Sequence, residues 1–414
     1  MSQSQLRWQS EYPQMGTGPV PVEPCVSKKY FEMERERLFR RVWLNVGRVE
    51  EIPEVGSYIV RDVAVWNTSI ILVRGADENV RAFHNICPHR GNKLAIDAKG
   101  SCRRFTCGFH GWTFDLQGEL KGVPDENQFY DFDKSQHGLA PLSVDTWEGF
   151  LFVHLNRQPT ETLAQQLADF GERLRGFPFH KMSVCYSWHA EIKCNWKVSM
   201  DAFHEGYHVP FVHGKTVPQS SASKDNPLAH PLKIILSPAG HRMMSFYGNP
   251  NPPNLTPVDQ VFLRHGGAAF RKRVVPLDQL PKGVNPTMSP TWGFDLNVLF
   301  PNFYLLLYGI GFYVTYNFWP LEVDRTLFEV RMYFPPPESP VQRISQEYVR
   351  SSFHFVLRED LKALEQIGAM LPSGALSHFT LQDNEMLIRH AYRTVEDRVG
   401  FYKQSASSAA AAEA

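Results

Sequence analysis

Four residues in two short clips, Cys87-Pro88-His89 and Cys107-Gly108-Phe109-His110, are the part of this sequence best equipped for chemistry. Thiolates and neutral imidazoles are borderline-soft ligands, and four of them can hold either a tetrahedral zinc or an iron–sulfur cluster. Zinc clips usually separate their ligands by two to four residues, whereas Pro88 alone lies between Cys87 and His89. That spacing suits a two-iron, two-sulfide cluster in which one iron takes both thiolates and the other both imidazoles. Replacing two thiolates by neutral imidazoles raises the reduction potential above that of an all-cysteine cluster, so these residues point to an electron carrier.

A second group lies in NWKVSMDAFHEGYHVPFVHG, from Asn195 to Gly214, which contains His204, His208 and His213 with Asp201 and Glu205 among them. Two geometries compete. On a continuous helix His204 and His208 share a face, as in the HExxH string of zinc peptidases, with Glu205 as the base. Gly206 and Pro210 weaken such a helix. The alternative pair is His208 and His213, with the carboxylate of Glu205 three residues before the first. SSFHFVLREDLKALEQIGAML reads as a helix whose apolar stripe contains Asp360, between Leu357 and Leu364. A carboxylate on a buried face is costly unless paired or metal-bound. Asp383 and Glu385 are weaker candidates.

CxH followed by CxxH, with Gly91 and Gly111 just after each clip, then NWK, Glu205, the His208–His213 pair, FPN at Phe300–Asn302 and the ED run at Asp360, resembles the Rieske non-haem iron oxygenases, in particular the catalytic α subunit of the aromatic ring-hydroxylating oxygenase family. Asn92 and Phe109 stand where respiratory Rieske proteins carry disulfide cysteines. The resemblance implies a [2Fe-2S] cluster on Cys87, His89, Cys107 and His110, and Fe(II) on His208, His213 and Asp360. It implies a head-to-tail homotrimer, with or without a β subunit, in which Glu205 bridges His208 to the neighbour's His110, while His204 is structural. Most members carry Asp at the bridge.

Electrons from NAD(P)H would arrive through a reductase or ferredoxin, since no GxGxxG fold is apparent. Arg90, Lys93, Lys99, Arg103 and Arg104 could attract an acidic donor. The implied activity is use of O2 to hydroxylate, dihydroxylate or oxidatively demethylate a small hydrophobic, aromatic molecule, with Met200, Phe203, Phe211 and Phe303 to Tyr308 lining an apolar pocket. The alternatives are the branch acting on non-aromatic or quaternary ammonium substrates, and an electron-transfer protein without oxygenase activity.

The elements that must position these residues indicate an α+β chain. Residues 1–44 read as an arm and an amphipathic helix over Lys28–Trp43. Residues 45–156 form an antiparallel β Rieske domain with strands in SYIVRDV, SIILVRG, VRAFHNI and LSVDTWEGFLFVHLN. Residues 157–403 form a catalytic domain, an antiparallel sheet flanked by helices, and 404–414 a disordered tail. Its strands lie around WHAEIK, KIILSPA, MMSFYG, NFYLLLYGIGFYVTYNFWP and RTLFEVRMYF. Pro250–Pro290 reads as a long loop or lid over the site. With 43 basic and 43 acidic residues in 414, no bulk charge argues for nucleic acid or an anionic membrane. The first sixteen residues lack an apolar core, and no uninterrupted apolar run reaches bilayer length. A cytoplasmic protein with free Cys25, Cys102, Cys185 and Cys194 is expected.

Overall fold

The computed structural model describes residues 7–214, 216, 222–249, 276–309 and 311–403. Two compact units divide it, one from Arg35 to Gln166 and the other from the residues up to Glu34 together with those from Leu167 on.

The Arg35–Gln166 unit runs β1 (Leu44–Arg48), β2 (Ser57–Val63), β3 (Thr68–Arg74), β4 (Val80–His84), β5 (Lys99–Ser101), β6 (Phe105–Thr106), β7 (Thr113–Phe114), β8 (Leu120–Gly122), β9 (Pro141–Trp147) and β10 (Phe150–His154). A seven-stranded antiparallel sheet has the order β1-β10-β9-β4-β3-β2-β5, and β6-β7-β8 form a smaller one. LSVDTWEGFLFVHLN becomes the β9–β10 hairpin, whose two turn residues, Glu148 and Gly149, both have positive φ, as a two-residue type I′ turn requires. The first cysteine–histidine clip leaves the sheet between β4 and β5, the second between β6 and β7. Cys87 and Cys107 sit in the core with Phe83, Trp112 and Phe114.

The second unit carries β11 (Val184–Ile192), β12 (Lys233–Leu236), β13 (Arg242–Tyr247), β14 (Trp292–Leu299), β15 (Phe303–Leu307), β16 (Tyr313–Glu322) and β17 (Arg325–Phe334). They form a seven-stranded antiparallel meander, β12 to β17 in sequence, with β11 added beside β17. β14 is not visible in the sequence pattern, because Asp295 and Asn297 interrupt its apolar run. Both are fully buried, and Asp295 accepts hydrogen bonds from Ser245 Oγ (2.6 Å), Trp292 Nε1 (2.9 Å) and Asn285 N (2.7 Å). The long apolar run from Phe303 to Trp319 is the buried β15–β16 pair at the middle of this sheet. No helix among the described residues is long and apolar enough to cross a membrane.

Four helices matter for the site: α1 (Trp196–Asp201), α2 (Val209–Val212), α3 (Pro340–Met370) and α4 (Met386–Val399). α3 starts eleven residues before the expected stretch, because Ser339 caps it by accepting from Gln342 N and Pro340 occupies its first turn. Residues 250–275 of the expected lid, and the tail, lie outside the described residues.

The 44 residues read as an arm and helix divide between the two units. Those up to Glu34 group with the second unit, where Asp383 caps Arg7–Glu11 by accepting from Trp8 N and Gln9 N (2.9 and 2.8 Å). The expected helix ends at Arg37, followed by a short 3-10 turn over Phe39–Arg41. NWK accounts for the rest of this attachment. Asn195 caps α1 and donates to Val323 O (2.7 Å), while Trp196 Nε1 and Lys197 Nζ both reach the buried Glu34 carboxylate (3.1 and 2.6 Å). Removing one partner of such a pair leaves an uncompensated buried charge. Lys197→Met is therefore expected to destabilise by about 3–5 kcal/mol, and Lys197→Met with Glu34→Leu by much less. Denaturant unfolding of the single and double variants checks the difference.

Candidate functional site

The two clip loops are built alike. Gly91 N donates to Cys87 O and Gly111 N to Cys107 O (2.9 and 3.0 Å), while Cys87 N donates to Asn92 O and Cys107 N to Trp112 O (both 2.8 Å). Gly91 and Gly111 close these turns at φ 79° and 74°, a conformation glycine adopts without cost. Asn85, which the sequence does not advertise, pins the first loop: its Oδ1 accepts from Leu94 N and Ala95 N, and its Nδ2 donates to Ala95 O. The thiols are buried and the imidazoles half-exposed. His89 stacks on Trp112 (4.9 Å between ring centroids) and lies 4.5 Å from the His110 ring. His89 Nδ1 is buried without a hydrogen-bond partner, as expected of an atom reserved for a metal. Asn92 Nδ2 approaches Cys107 Sγ at 3.7 Å. The donor set, two thiols and two imidazoles held by two matched loops, fits a mixed-ligand [2Fe-2S] cluster. Of the nearby cations, Lys93 is paired with Asp62 (3.0 Å), and Arg90 lies over the Phe109 ring.

In the second unit the ligating atoms of His208, His213 and Asp360 all lie within 4.8 Å of one another. Asp360 Oδ1 is 3.0 Å from His213 Nε2 and 3.5 Å from His208 Nε2, yet it is buried and accepts no well-formed hydrogen bond. The outer nitrogens explain this orientation. His208 Nδ1 lies 2.5 Å from Glu205 Oε1, and His213 Nδ1 lies 2.9 Å from Glu359 Oε2. When Nδ1–H donates to a carboxylate, the Nε2 lone pair is left for a metal, the carboxylate–histidine–metal arrangement. The residues fit a divalent ion held by two imidazoles and one carboxylate with open positions.

Three elements bring this about. Glu205 Oε2 also accepts from His208 N (3.0 Å), fixing the turn between α1 and α2. His213 ends α2. Asp360 belongs to the buried stripe of α3 with Val349, Phe353, Leu357 and Leu364. Glu359, one residue earlier and half-buried, is assigned to another face by the helical pattern. It reaches the site because His213 comes to meet it and Thr216 Oγ1 donates to the same oxygen (2.6 Å). Glu385 does not join the triad: it caps Gln382 N (2.7 Å).

The HExxH geometry does not form. α1 ends at Asp201 and α2 begins at Val209, so His204 and His208 share no helix. His204 is fully buried, and its Nε2 accepts from Arg242 Nε (2.9 Å) and lies 2.7 Å from Tyr304 Oη. Of the expected pocket residues, Met200 and Phe203 are core, with Phe203 packed on Tyr316, Phe318 and Phe328. Phe303 takes the other face of the sheet. Strand alternation puts it on the sheet face opposite Tyr304, whose hydroxyl reaches Met200 O (3.2 Å) and His204. Phe211 is largely exposed, with its ring edge-on to Tyr207.

Burial and the Arg242 charge push the His204 pKa well down, and the same causes push that of His390 down to about 3. A histidine kept neutral in the fold contributes its full stability above its unfolded pKa near 6.5, and loses it as pH falls toward the folded value. Stability is expected to fall below pH ~6.5 with a slope approaching about 1.4 kcal/mol per pH unit for each such histidine. His390→Gln should make the profile of Tm against pH shallower.

The family pattern of the ring-hydroxylating alpha subunit, catalytic domain, matches residues 179–400, and that of the Rieske [2Fe-2S] domain matches residues 42–147. The chain belongs to the ring-hydroxylating alpha-subunit family. Among relatives of this oxygenase family, the carnitine monooxygenase oxygenase subunit of Acinetobacter baumannii is 34% identical over 189 residues, 45% of this chain and 50% of the relative. The glycine betaine monooxygenase oxygenase subunit of Chromohalobacter salexigens is 35% identical over 185 residues, 45% of this chain and 41% of the relative. The 2-aminobenzenesulfonate 2,3-dioxygenase alpha subunit of Alcaligenes sp. is 32% identical over 199 residues, 45% and 48%. The chain thus spans about half the length of the curated relatives it matches.

In fold the chain is similar to a quaternary ammonium Rieske monooxygenase (TM-score 0.74, 22% identity, 92% of this chain and 95% of that one). It is also similar to naphthalene 1,2-dioxygenase from Rhodococcus sp. (TM-score 0.72, 20% identity, 95% and 97%).

Proposed function

We infer that the chain is the terminal oxygenase of a Rieske non-haem iron system and that its substrate is a small quaternary ammonium compound rather than an aromatic ring. Cys87, His89, Cys107 and His110 would hold the [2Fe-2S] cluster, and His208, His213 and Asp360 the Fe(II). When bound, the two groups supply stored electrons and the activation of dioxygen. A partner reductase or ferredoxin would deliver NAD(P)H electrons, and a homotrimer would bring Glu205 of one subunit to the cluster of the next. The balanced reaction takes O2, two electrons and two protons, puts one oxygen atom on a carbon bonded to nitrogen and releases the other as water. The product then breaks its C–N bond to give a tertiary amine and an aldehyde.

The observation that carries the substrate class is the charge of the site. Glu205, Glu359 and Asp360 surround the two imidazoles. Alternation along the strands leaves Arg242 as the one cation, among the described residues, on the sheet face that carries α1 and α3. Its guanidinium is engaged by His204 Nε2 and Gly240 O. Tyr316 on that face and Phe353 on α3, whose rings meet at 6.5 Å, are of the kind that attracts an organic cation, whereas an anionic aromatic finds no counter-charge other than Arg242 among the described residues of that face. The resemblance to the carnitine and glycine betaine enzymes supports the same reading.

Chemically reduced protein, desalted and mixed with O2, is expected to release tertiary amine from trimethylammonium compounds in a single turnover and to leave naphthalene and aminobenzenesulfonate untouched. Product from the aromatic compounds alone would refute the assignment.

A further inference from the structure

The matched backbone of the two clip loops puts Asn92 and Trp112 at equivalent positions. Each is the fifth residue after its cysteine, and each accepts, through its carbonyl, the hydrogen bond from that cysteine's N–H. Each also sends its side chain across to the other clip. Trp112, on the second loop, stacks its indole on His89 of the first, 4.9 Å between centroids and 8° from parallel. Asn92, on the first loop, donates from Nδ2 to Cys107 Sγ of the second at 3.7 Å, within reach for an acceptor as large as sulfur. The loops are alike in main chain and unlike in what their side chains bring: an aromatic face to an imidazole, an amide donor to a thiol.

The Asn92 amide is held in this orientation. Its Nδ2 carries two hydrogens, and besides Cys107 Sγ it donates to Lys93 O at 2.9 Å, so turning the amide away loses both bonds. The carbonyl that orients it sits on a pinned stretch: Lys93 is paired with Asp62, and Leu94 N and Ala95 N donate to Asn85 Oδ1. Asn92 is half-buried and Cys107 is 2% exposed, so little water competes for the sulfur. Backbone amides serve the two sulfurs alike, those of His89 and Arg90 at Cys87 and those of Phe109 and His110 at Cys107. The side-chain donor from Asn92 is what sets Cys107 apart.

We propose that Asn92 tunes the electron affinity of the [2Fe-2S] cluster: its amide N–H, donating to the Cys107 thiolate, favours the reduced state and raises the reduction potential. This rests on the cluster assignment to Cys87, His89, Cys107 and His110, and is independent of the substrate class. Reduction takes one electron from the partner reductase or ferredoxin, and no bond forms or breaks. The added negative charge is shared by the thiolate sulfurs, and a hydrogen bond strengthens as its acceptor becomes more negative. Asn92 thus acts through Cys107, making the cluster easier to load from its donor.

Redox titration of the holoprotein, followed by the EPR signal of the reduced cluster, compares wild type with Asn92→Leu and Asn92→Asp. Leucine keeps the approximate volume and the backbone carbonyl that Cys87 N–H needs, and removes the donor. Its reduction equilibrium constant is expected to fall by about three- to tenfold, up to ~59 mV for one electron, with cluster iron and sulfide retained. Aspartate puts a negative oxygen where the donor stood and should fall at least as far. The sign separates tuning from loosening, because a loosened loop admits water, whose own hydrogen bonds to sulfur raise the potential. An unchanged or raised potential in Asn92→Leu with the cluster intact overturns the proposal. Should both variants lose the cluster, wild type grown with isotopically labelled asparagine decides. Its reduced cluster is expected to couple to an amide nitrogen in pulsed EPR, and absence of that coupling overturns the role of Asn92. Wild type that carries no acid-labile sulfide overturns the cluster assignment itself, a failure distinct from an unshifted potential.

Discussion

Asp360→Ala protein, purified without oxygen, is expected to hold about two irons and two sulfides per chain, where wild type holds about three irons and two sulfides. Asp360 Oδ1 is the point on which His208 Nε2 and His213 Nε2 converge, and without it two neutral imidazoles face an empty corner. Two ligands of this kind do not retain Fe(II) through purification, so oxygenation should fall below detection while the visible spectrum of the cluster is unchanged. Asp360→Asn isolates the charge: it keeps the shape and one oxygen, and should bind the metal weakly without restoring turnover. Iron content unchanged in the alanine variant would refute the ligand assignment. Since Asp360 is buried and carries an unsatisfied oxygen, the metal-free alanine variant should be no less stable than metal-free wild type. Loss of function cannot then be ascribed to unfolding.

The candidate ligands are readable in the sequence because metal chemistry constrains residue type and spacing together. Cys87 to His110 and His208 to His213 lie within short loops, and Asp360 is conspicuous as a carboxylate in an apolar stripe. What escapes the sequence is what tertiary structure adds. Glu359 points about 100° around the helix from Asp360, and only the approach of His213 and Thr216 from another segment turns it into part of the site. Nothing local marks that meeting, although the adjacent acidic pair is the one hint. His204 shows the reverse. The string HEGYH is a literal match to a zinc motif, yet the turn at residues 202–208 sends its first histidine to Arg242 and Tyr304.

The fold was legible on the same terms. Alternating β-branched runs mark β2, β3 and β4, whereas β14 hides because Asp295 and Asn297 are buried polar groups whose partners come from neighbouring segments. The face of Phe303 is not legible, because a run in which nearly every residue is apolar carries no period and so does not say which face a side chain takes. Strand pairing decides it: Tyr304 opposite Tyr316 defines the face toward α1, and Phe303 must take the other. The apolar stripe marks only the later part of α3, because its first turns bear few apolar residues while its start signals, Ser339 and Pro340, lie upstream of the stripe.

Glu205→Ala is expected to lower reductase-driven turnover by about 10- to 100-fold, the usual cost of losing a carboxylate that orients a metal-bound histidine, with the two irons and two sulfides of the cluster retained. Glu205 holds His208 twice, at Nδ1 through Oε1 (2.5 Å) and at the backbone N through Oε2 (3.0 Å), so alanine releases both the ring and the turn that delivers it. Glu205→Gln removes the charge and keeps one acceptor, so the bond from the His208 backbone N–H is lost when the amide oxygen takes Nδ1–H. Its amide oxygen still accepts from Nδ1–H, so it should hold the imidazole in place while making it less basic. Two measurements then separate orientation from electron coupling. If Glu205 serves only to orient His208, the glutamine variant keeps nearly wild-type turnover, and the alanine variant alone loses metal affinity. If the carboxylate also joins the two centres across subunits, both variants reoxidise the reduced cluster slowly after mixing with substrate and O2, although the glutamine variant binds metal normally. Reoxidation at the wild-type rate in both would exclude Glu205 from the electron path. His208, 20% exposed, and the more exposed Tyr207 and Phe211 beside it lie at the surface of the second unit, as the second outcome requires.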